Sequence, residues 1–416
     1  MIRDIAKKEI LENLTTYRFT ILTILLAVLM VVSIIVSYGD YEMRLEYFNL
    51  NHPDAHSSNV MIPPTPLSIF AKGEDAHLGR LYYVKYSGIE VQGTEQSVNR
   101  LFSLFTTPDM LFIIKVMLSL IAILFSFDAI TGEKEQGTLK LMLTNGTNRF
   151  AFVAGKLLGR FSLVFIPFAV LFLGSAIVVS LLPDVPVSGD YWNKIVVFLL
   201  SSTMYVLAFT TAGLLLSSLV HHSTTSLALG LAIWVLLVFI VPQTGMAISR
   251  SVAGVPSSER VEMQNRLTQI RGIYERIHQD PSWTMAGHKR MIKQMDEANS
   301  QFYETYRPKL LAHIQLTKEL VRISPAGALT FLLTDVANAG LYEEIRYKDA
   351  LTGFAQRNAD YINETKQGTM EDFHYTRSPL GEIFTQTGIT DIFIIVFACI
   401  ILAGLAMVSV AEYDPR

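Results

Sequence analysis

A chain of 416 residues with a net charge of −3 carries no strong basic or acidic field, which argues against nucleic acid as a partner. Hydrophobic residues make up 50% and charged residues only 17%, against roughly a quarter charged in soluble domains, so the chain divides between two solvents. The one cysteine, Cys399, lies inside an apolar block, which excludes an internal disulfide or a thiolate metal cluster and leaves a packing role.

Residues 1–18 begin with IRDIAKKEILENL, which puts Ile2, Ile5, Ala6, Ile10 and Leu14 on one stripe and Arg3, Lys7, Lys8 and Glu12 on the other. This pattern predicts an amphipathic helix at a membrane interface, either as an anchor or as a docking element. A spanning helix needs about 20 mostly apolar residues, and six segments qualify: 19–38, 110–127, 161–182, 195–220, 225–248 and 389–410. The first lacks a small-x-small cleavage pattern after Tyr38, so it reads as an uncleaved span and not a signal peptide. Lys115 in the second can snorkel, Pro167 predicts a kink in the third, and Asp391 marks the edge of the sixth. Only His221, His222 and Ser223 lie near the turn of a tight hairpin between the fourth and fifth.

Two long polar stretches interrupt the spans. Segment 39–109 contains Pro63, Pro64, Thr65 and Pro66 and then LYYVKYSGIEV over Leu81–Val91, which predicts a small mixed α/β unit. Segment 249–387 is helical in pattern from Glu259 to Ile323, with Val261, Leu267, Ile270, Tyr274 and Ile277 at helical spacing, and Met291, Met295, Phe302 and Tyr306 after a break at Asp280–Pro281. That pattern predicts a helical hairpin whose stripe forms either an internal core or a groove for a partner. The apolar stretch 324–340 is too short to span, so a re-entrant or interfacial helix and a buried helix of the polar unit both remain open.

Orientation follows from cationic residues in short connections. Arg3, Lys7, Lys8 and Arg18 precede the first span, while Lys134, Lys140, Arg149, Lys156 and Arg160 follow the second. Both termini and segment 128–160 are therefore expected on the cytoplasmic side, with 39–109 and 249–387 outside. The expected fold is a polytopic α-helical protein of a bacterial inner membrane. Its extracytoplasmic domain, mostly helical with some β, is inserted between the first and second and between the fifth and sixth spans.

No HExxH, GxSxG or CxxC pattern occurs, and Gly146–Lys156 fails as a phosphate-binding loop because its spacing is wrong and Leu157 stands where a hydroxyl is required. A membrane-embedded hydrolase therefore has no catalytic constellation to use. Among nine histidines only His221 and His222 adjoin, and neighbours on a helix diverge by about 100°, which suits a shared metal poorly. Ionisable groups are nearly absent from the spans, which disfavours an ion-coupled transporter.

The informative stretch is DAITGEKEQGTLKLMLTNGTNRFAFVAGKLLGR from Asp128 to Arg160. Glu133, Lys134, Glu135, Gly137, Thr138, Leu139 and Leu141, followed by Gly155 and Lys156, resemble the E-x-E-x-G-T-L…G-K segment of ABC-2-type exporter permeases. In that family the segment carries a coupling helix that sits in a groove of a separate ATPase subunit. The interfacial helix, the six spans and a re-entrant helix between spans five and six are similar too. The serine-proline step common in the family is replaced by Thr144, Asn145, Gly146 and Thr147, a glycine turn. The enlarged outer segments resemble a subgroup with an expanded outer domain, some members of which work with periplasmic or surface partners.

The resemblance implies a non-catalytic membrane subunit of an ATP-driven exporter, with coupling through Glu133, Lys134, Glu135, Gly137, Thr138 and Leu139. It implies two ATPase copies, a second permease chain in a homodimer or heterodimer, and membrane lipid around them. ATP and magnesium are expected on the ATPase, and no cofactor or metal in this chain. The alternative reading is ATP-driven mechanical signalling to a periplasmic partner without a transported cargo.

Overall fold

The computed structural model describes residues 1–51, 59–85, 88–91, 109–139, 142, 148–187, 189–254, 263, 267, 270–274, 277–278, 308–309, 311–357 and 373–412. In chain order the helices are α1 (Ile2–Leu14), α2 (Tyr17–Asn51), α3 (110–126), α4 (Thr131–Glu135), α5 (Arg149–Ser180), α6 (Gly189–Leu219), α7 (Ser223–Ala253), α8 (311–321), α9 (Pro325–Val336), α10 (Leu341–Arg357) and α11 (Ile389–Ala411). Among the described residues six helices, namely α2, α3 with its continuation, α5, α6, α7 and α11, are long and apolar enough to cross a membrane. The expected polytopic helical fold is thereby borne out.

Several boundaries move outward from the apolar runs. After Tyr38 the first helix continues to Asn51, held in part by the i,i+4 pair of Arg44 and Asp40 at 2.9 Å. Residues 149–160, expected within a connecting loop, instead form the first turns of α5, where the Asn148 side chain accepts from the amide of Phe150 at 2.9 Å. Neither stretch contains a proline, so nothing forces the helix to stop where the hydrocarbon-length run ends.

α3 and α6 are the inner spans, while α2, α7 and α11 keep most of their apolar surface open. Lipid tails are as apolar as leucine, so helices in a bilayer associate through small residues and interhelical hydrogen bonds. Both devices are present. A Cβ on Gly213 of α6 would lie 1.9 Å from Ser126 Oγ of α3, and Tyr205 donates to the carbonyl of Lys115 at 2.7 Å while Trp234 Nε1 donates to Ser119 Oγ at 2.9 Å. Phe172 and Phe198 stack in this core, and Phe70 meets both at a steep angle.

The stretch 324–340 contains the helix α9. Its residues are almost wholly buried, and it packs against α6, α11 and the π-helical turn Leu236–Ile240 of α7. Ser324 caps its start by accepting from Ala326 N at 3.1 Å. Gly327 admits the backbone of Val321, whose carbonyl would lie 2.2 Å from an added Cβ. The helix thus packs inside the helix bundle.

At the bundle end opposite α1 the two insertions share one core. Strands β1 (Asn59–Val60), β2 (Tyr82–Lys85) and β3 (Gly88–Val91) form an antiparallel sheet in that order, with Val60 facing Tyr82 and Tyr82 facing Val91. Tyr347, Leu351 and Phe354 of α10 close over Val60, Ile62, Leu78 and Tyr82, and the rings of Tyr82 and Tyr347 meet edge to face at 5.4 Å. Burial, helped by the nearby Glu344 carboxylate, pushes the Tyr82 phenol up to about 12.

Asp75 anchors this unit to α2, held by Arg44 and, at 3.0 Å, by Arg377. Gly73, at φ +47, lets Ala339 O approach to 2.2 Å from where a Cβ would stand. Of the expected stripe in 259–323, Leu267, Ile270, Tyr274 and Ile277 are helical and exposed. Val261, Met291, Met295, Phe302 and Tyr306 lie outside the described residues.

Candidate functional site

The segment after α3 is fastened to the hairpin between α6 and α7. Ser217 Oγ accepts from the amides of Ile130 and Thr131, both at 2.9 Å. Lys134 donates to the carbonyls of Ser218 and Val220, the latter at 2.9 Å, and so covers the open C-terminus of α6. One position on, Glu135 accepts from the amide and hydroxyl of Ser223 at 2.8 and 2.9 Å, which caps the N-terminus of α7. Adjacent opposite charges therefore staple two helix ends of opposite polarity.

Thr138 Oγ1 donates to the carbonyl of Glu133 at 3.4 Å, and Gly137 at φ +70 supplies the left-handed turn between them. Leu139 is buried with Ala129, Ile130, Phe152, Val153, Leu214 and Val410 of this chain. What remains open is polar: Glu135, Gln136 and Gly137, beside the exposed His221 and His222. Lys140, Leu141 and residues 143–147 lie outside the described residues.

α1 lies along the start of α5. An added Cβ on Gly155 would stand 2.7 Å from Ile5 Cβ, and one on Gly159 2.7 Å from Glu9 Cβ, so the two backbones approach closely. Lys156 and Arg160, one residue after each glycine, reach Glu9 at 2.7 and 2.8 Å. Lys156 also meets Glu133 of α4 at 2.7 Å. Arg160 donates to Asn13 Oδ1 at 2.8 Å and pairs with Asp128 at 3.2 Å, which Arg18 holds from the other side at 2.9 Å. Three carboxylates thus face three cations, joining α1, α2, the 128–135 segment and α5.

The stripe expected on α1 is only partly the buried face. Ile2, Ile5 and Ile10 are half-buried and Leu14 is exposed, while the buried positions are Glu9 and Asn13. The missed signal was a pair of matching periods. Ile5, Glu9 and Asn13 recur every four residues, as do Gly155 with Gly159 and Lys156 with Arg160. Burial by itself would raise the Glu9 carboxyl, but the Lys156 and Arg160 cations outweigh it and hold Glu9 below its ordinary 4.5. The folded value is the lower one, so the stabilisation is complete above 4.5 and disappears as pH falls through that lower value. Melting temperatures of the parent and Glu9→Gln should differ by a constant amount from neutral pH down to 4.5 and converge below it.

Other ionisable groups gather at the opposite end. Arg322 grips the fully buried Asp391 with Nε at 2.7 Å and Nη2 at 3.2 Å, and Lys318 lies 3.6 Å from Asp335. Among the described residues no three histidine, cysteine or carboxylate groups are placed to hold a metal ion. Cys399 is buried, with Sγ donating to the carbonyl of Met204 at 3.2 Å.

A model of the family described as "ABC-2 family transporter protein" matches residues 3–411. The chain belongs to that ABC-2 family. It is also 31% identical over 124 residues to the "Probable ABC transporter permease protein NosY" of Stutzerimonas stutzeri. That match covers 30% of this ABC-2 chain and 45% of the relative, less than half of the relative's own length. ABC-2 membership and the six apolar helices together make this a multi-pass membrane protein. The family resemblance drawn from Glu133–Leu141 is therefore confirmed at the level of the family.

Proposed function

We propose that this chain is the permease subunit of an ATP-binding cassette exporter in the bacterial inner membrane, with both termini cytoplasmic. A separate ATPase subunit, in two copies, hydrolyses ATP with its magnesium, and this chain contributes no catalytic group. A second permease chain completes the assembly, as a homodimer or a heterodimer. The ATPase docks on the open tip at Glu135, Gln136 and Gly137. The observation that supports coupling is the double staple: Lys134 on the end of α6 and Glu135 on the start of α7. Because Glu133 also pairs with Lys156 of α5, a push on the tip reaches three spans at once without crossing a flexible joint.

The test is a photo-reactive amino acid at Gln136 in the chain expressed with its ATPase. Crosslinking to the ATPase is expected from Gln136 and not from Val28, which is exposed on α2 among apolar residues. Gly137→Val, which forces a branched side chain into a left-handed turn, should cut that crosslink at least fivefold. No crosslink from Gln136 in an ATPase-containing complex would end the proposal.

Mechanical signalling to a periplasmic partner is a second reading, favoured by α2, which runs without a break from the Arg18–Asp128 pair to the Arg44–Asp75 pair. Water-accessible cysteines along the contact between two permease chains would support export. A dry contact in every nucleotide state would support signalling.

A further inference from the structure

Lys156 holds two carboxylates from elements that are far apart in the chain, Glu9 of α1 and Glu133 of α4, each at 2.7 Å. Its side chain is 2% exposed and that of Glu9 3%, so water does not screen the bridge and neither partner has a solvated alternative position. Arg160 doubles the link, taking the second oxygen of Glu9 at 2.8 Å while also binding Asn13 and the carbonyl of Phe125. The glycines at 155 and 159 bring α1 into backbone contact with α5, so any rotation of α1 about its axis drives Ile5 or Glu9 into α5. Packing and charge thus fix the same helix in the same register.

We propose that Glu9 is the positioning residue that makes α1, α4 and the start of α5 move as one body. The inference rests on the permease reading above and assigns a role to a residue that faces neither lipid nor the docking tip. The opposite face of α1 carries exposed Arg3, Lys7, Leu11 and Leu14. Movement of the docking tip is therefore delivered to the helix that leads directly into α2.

The experiment places nitroxide labels at Leu11→Cys and at His221→Cys, exposed on the α6–α7 turn that Lys134 and Glu135 hold, in a Cys399→Ser background and measures their separation by pulsed electron resonance. The full complex with its ATPase is compared without nucleotide and after trapping with magnesium, ATP and vanadate. A reference pair at Asn49 and His221 reports movement of the tip and the turn stapled to it. The expected result is a reference distance that changes on trapping while the Leu11–His221 distance does not. Glu9→Gln should then make the Leu11–His221 distribution change on trapping, with at least a twofold increase in width, and Glu9→Asp should restore most of the single narrow distance.

Glu133→Gln breaks the other half of the same bridge, so it gives an independent reading where Glu9→Gln fails to insert. A purely structural Glu9 would lower yield without making the distance depend on nucleotide. An unchanged narrow distance in both Gln variants, or a parent chain in which α1 and the tip separate on trapping, overturns the inference while leaving the permease reading intact. A chain that captures no ATPase and never reaches the trapped state overturns the permease reading, and the inference with it.

Discussion

Lys156→Met should leave little folded protein. The substitution strands two carboxylates, Glu9 and Glu133, in a site where Lys156 itself is 2% exposed, and removing one partner of a buried ion pair costs about 3–5 kcal/mol. That is a large part of the roughly 5–15 kcal/mol by which proteins are stable. The ammonium also sits 5.2 Å from the Phe152 ring, so a cation–π contact goes with it. Fluorescence-detected size exclusion in mild detergent checks the outcome, with a several-fold loss of the monodisperse peak expected. Lys156→Met with Glu133→Gln should be milder than the sum of the two single changes, because the second removes one of the stranded charges. A double-mutant cycle with a coupling below about 0.5 kcal/mol would show that the three groups do not act together.

The second large effect is expected at the other end of the bundle. Asp391→Ala leaves the Arg322 guanidinium with no fork acceptor where Nε and Nη2 now reach the two carboxylate oxygens at 2.7 and 3.2 Å. A cost of about 3–5 kcal/mol is expected for the stranded guanidinium. The burden falls on α8 and α9, since Arg322 occupies the turn between them. Hydrogen exchange over 311–336 should accelerate by more than a hundredfold, while α3 and α6 stay protected. Asp391→Asn keeps one acceptor and should fall between. Arg322→Leu combined with Asp391→Leu should be closer to the parent than either single change. Equal exchange in the parent and Asp391→Ala would remove this pair from the forces holding α9 in the bundle.

Both sites illustrate which parts of this molecule were readable in advance. The six spans follow from run length alone, because a helix rising a fixed distance per residue must fill the hydrocarbon layer. The strands around Tyr82–Lys85 were legible from branched and aromatic residues flanked by breakers. The segment around Glu133–Leu139 was legible only as a resemblance. Its roles changed once its neighbours were known: Leu139 packs inside this chain, and Lys134 and Glu135 cap helix ends 84 and 88 residues away in the chain.

The amphipathic stripe of α1 was drawn from its apolar residues, and Glu9 was on neither side of it. Burial of Glu9 is permitted only by Lys156 and Arg160, at sequence separations of 147 and 151. No local pattern carries that information. By itself the sequence determined the membrane setting, the helix count and the family, because those depend on composition along the chain and on a short contiguous motif. Only the tertiary structure decided that α9 packs inside the bundle, that the two insertions share one core, and that α1 is bolted to the loop. Each of those depends on which buried charge or small residue finds its complement, and that pairing exists only after the chain has folded.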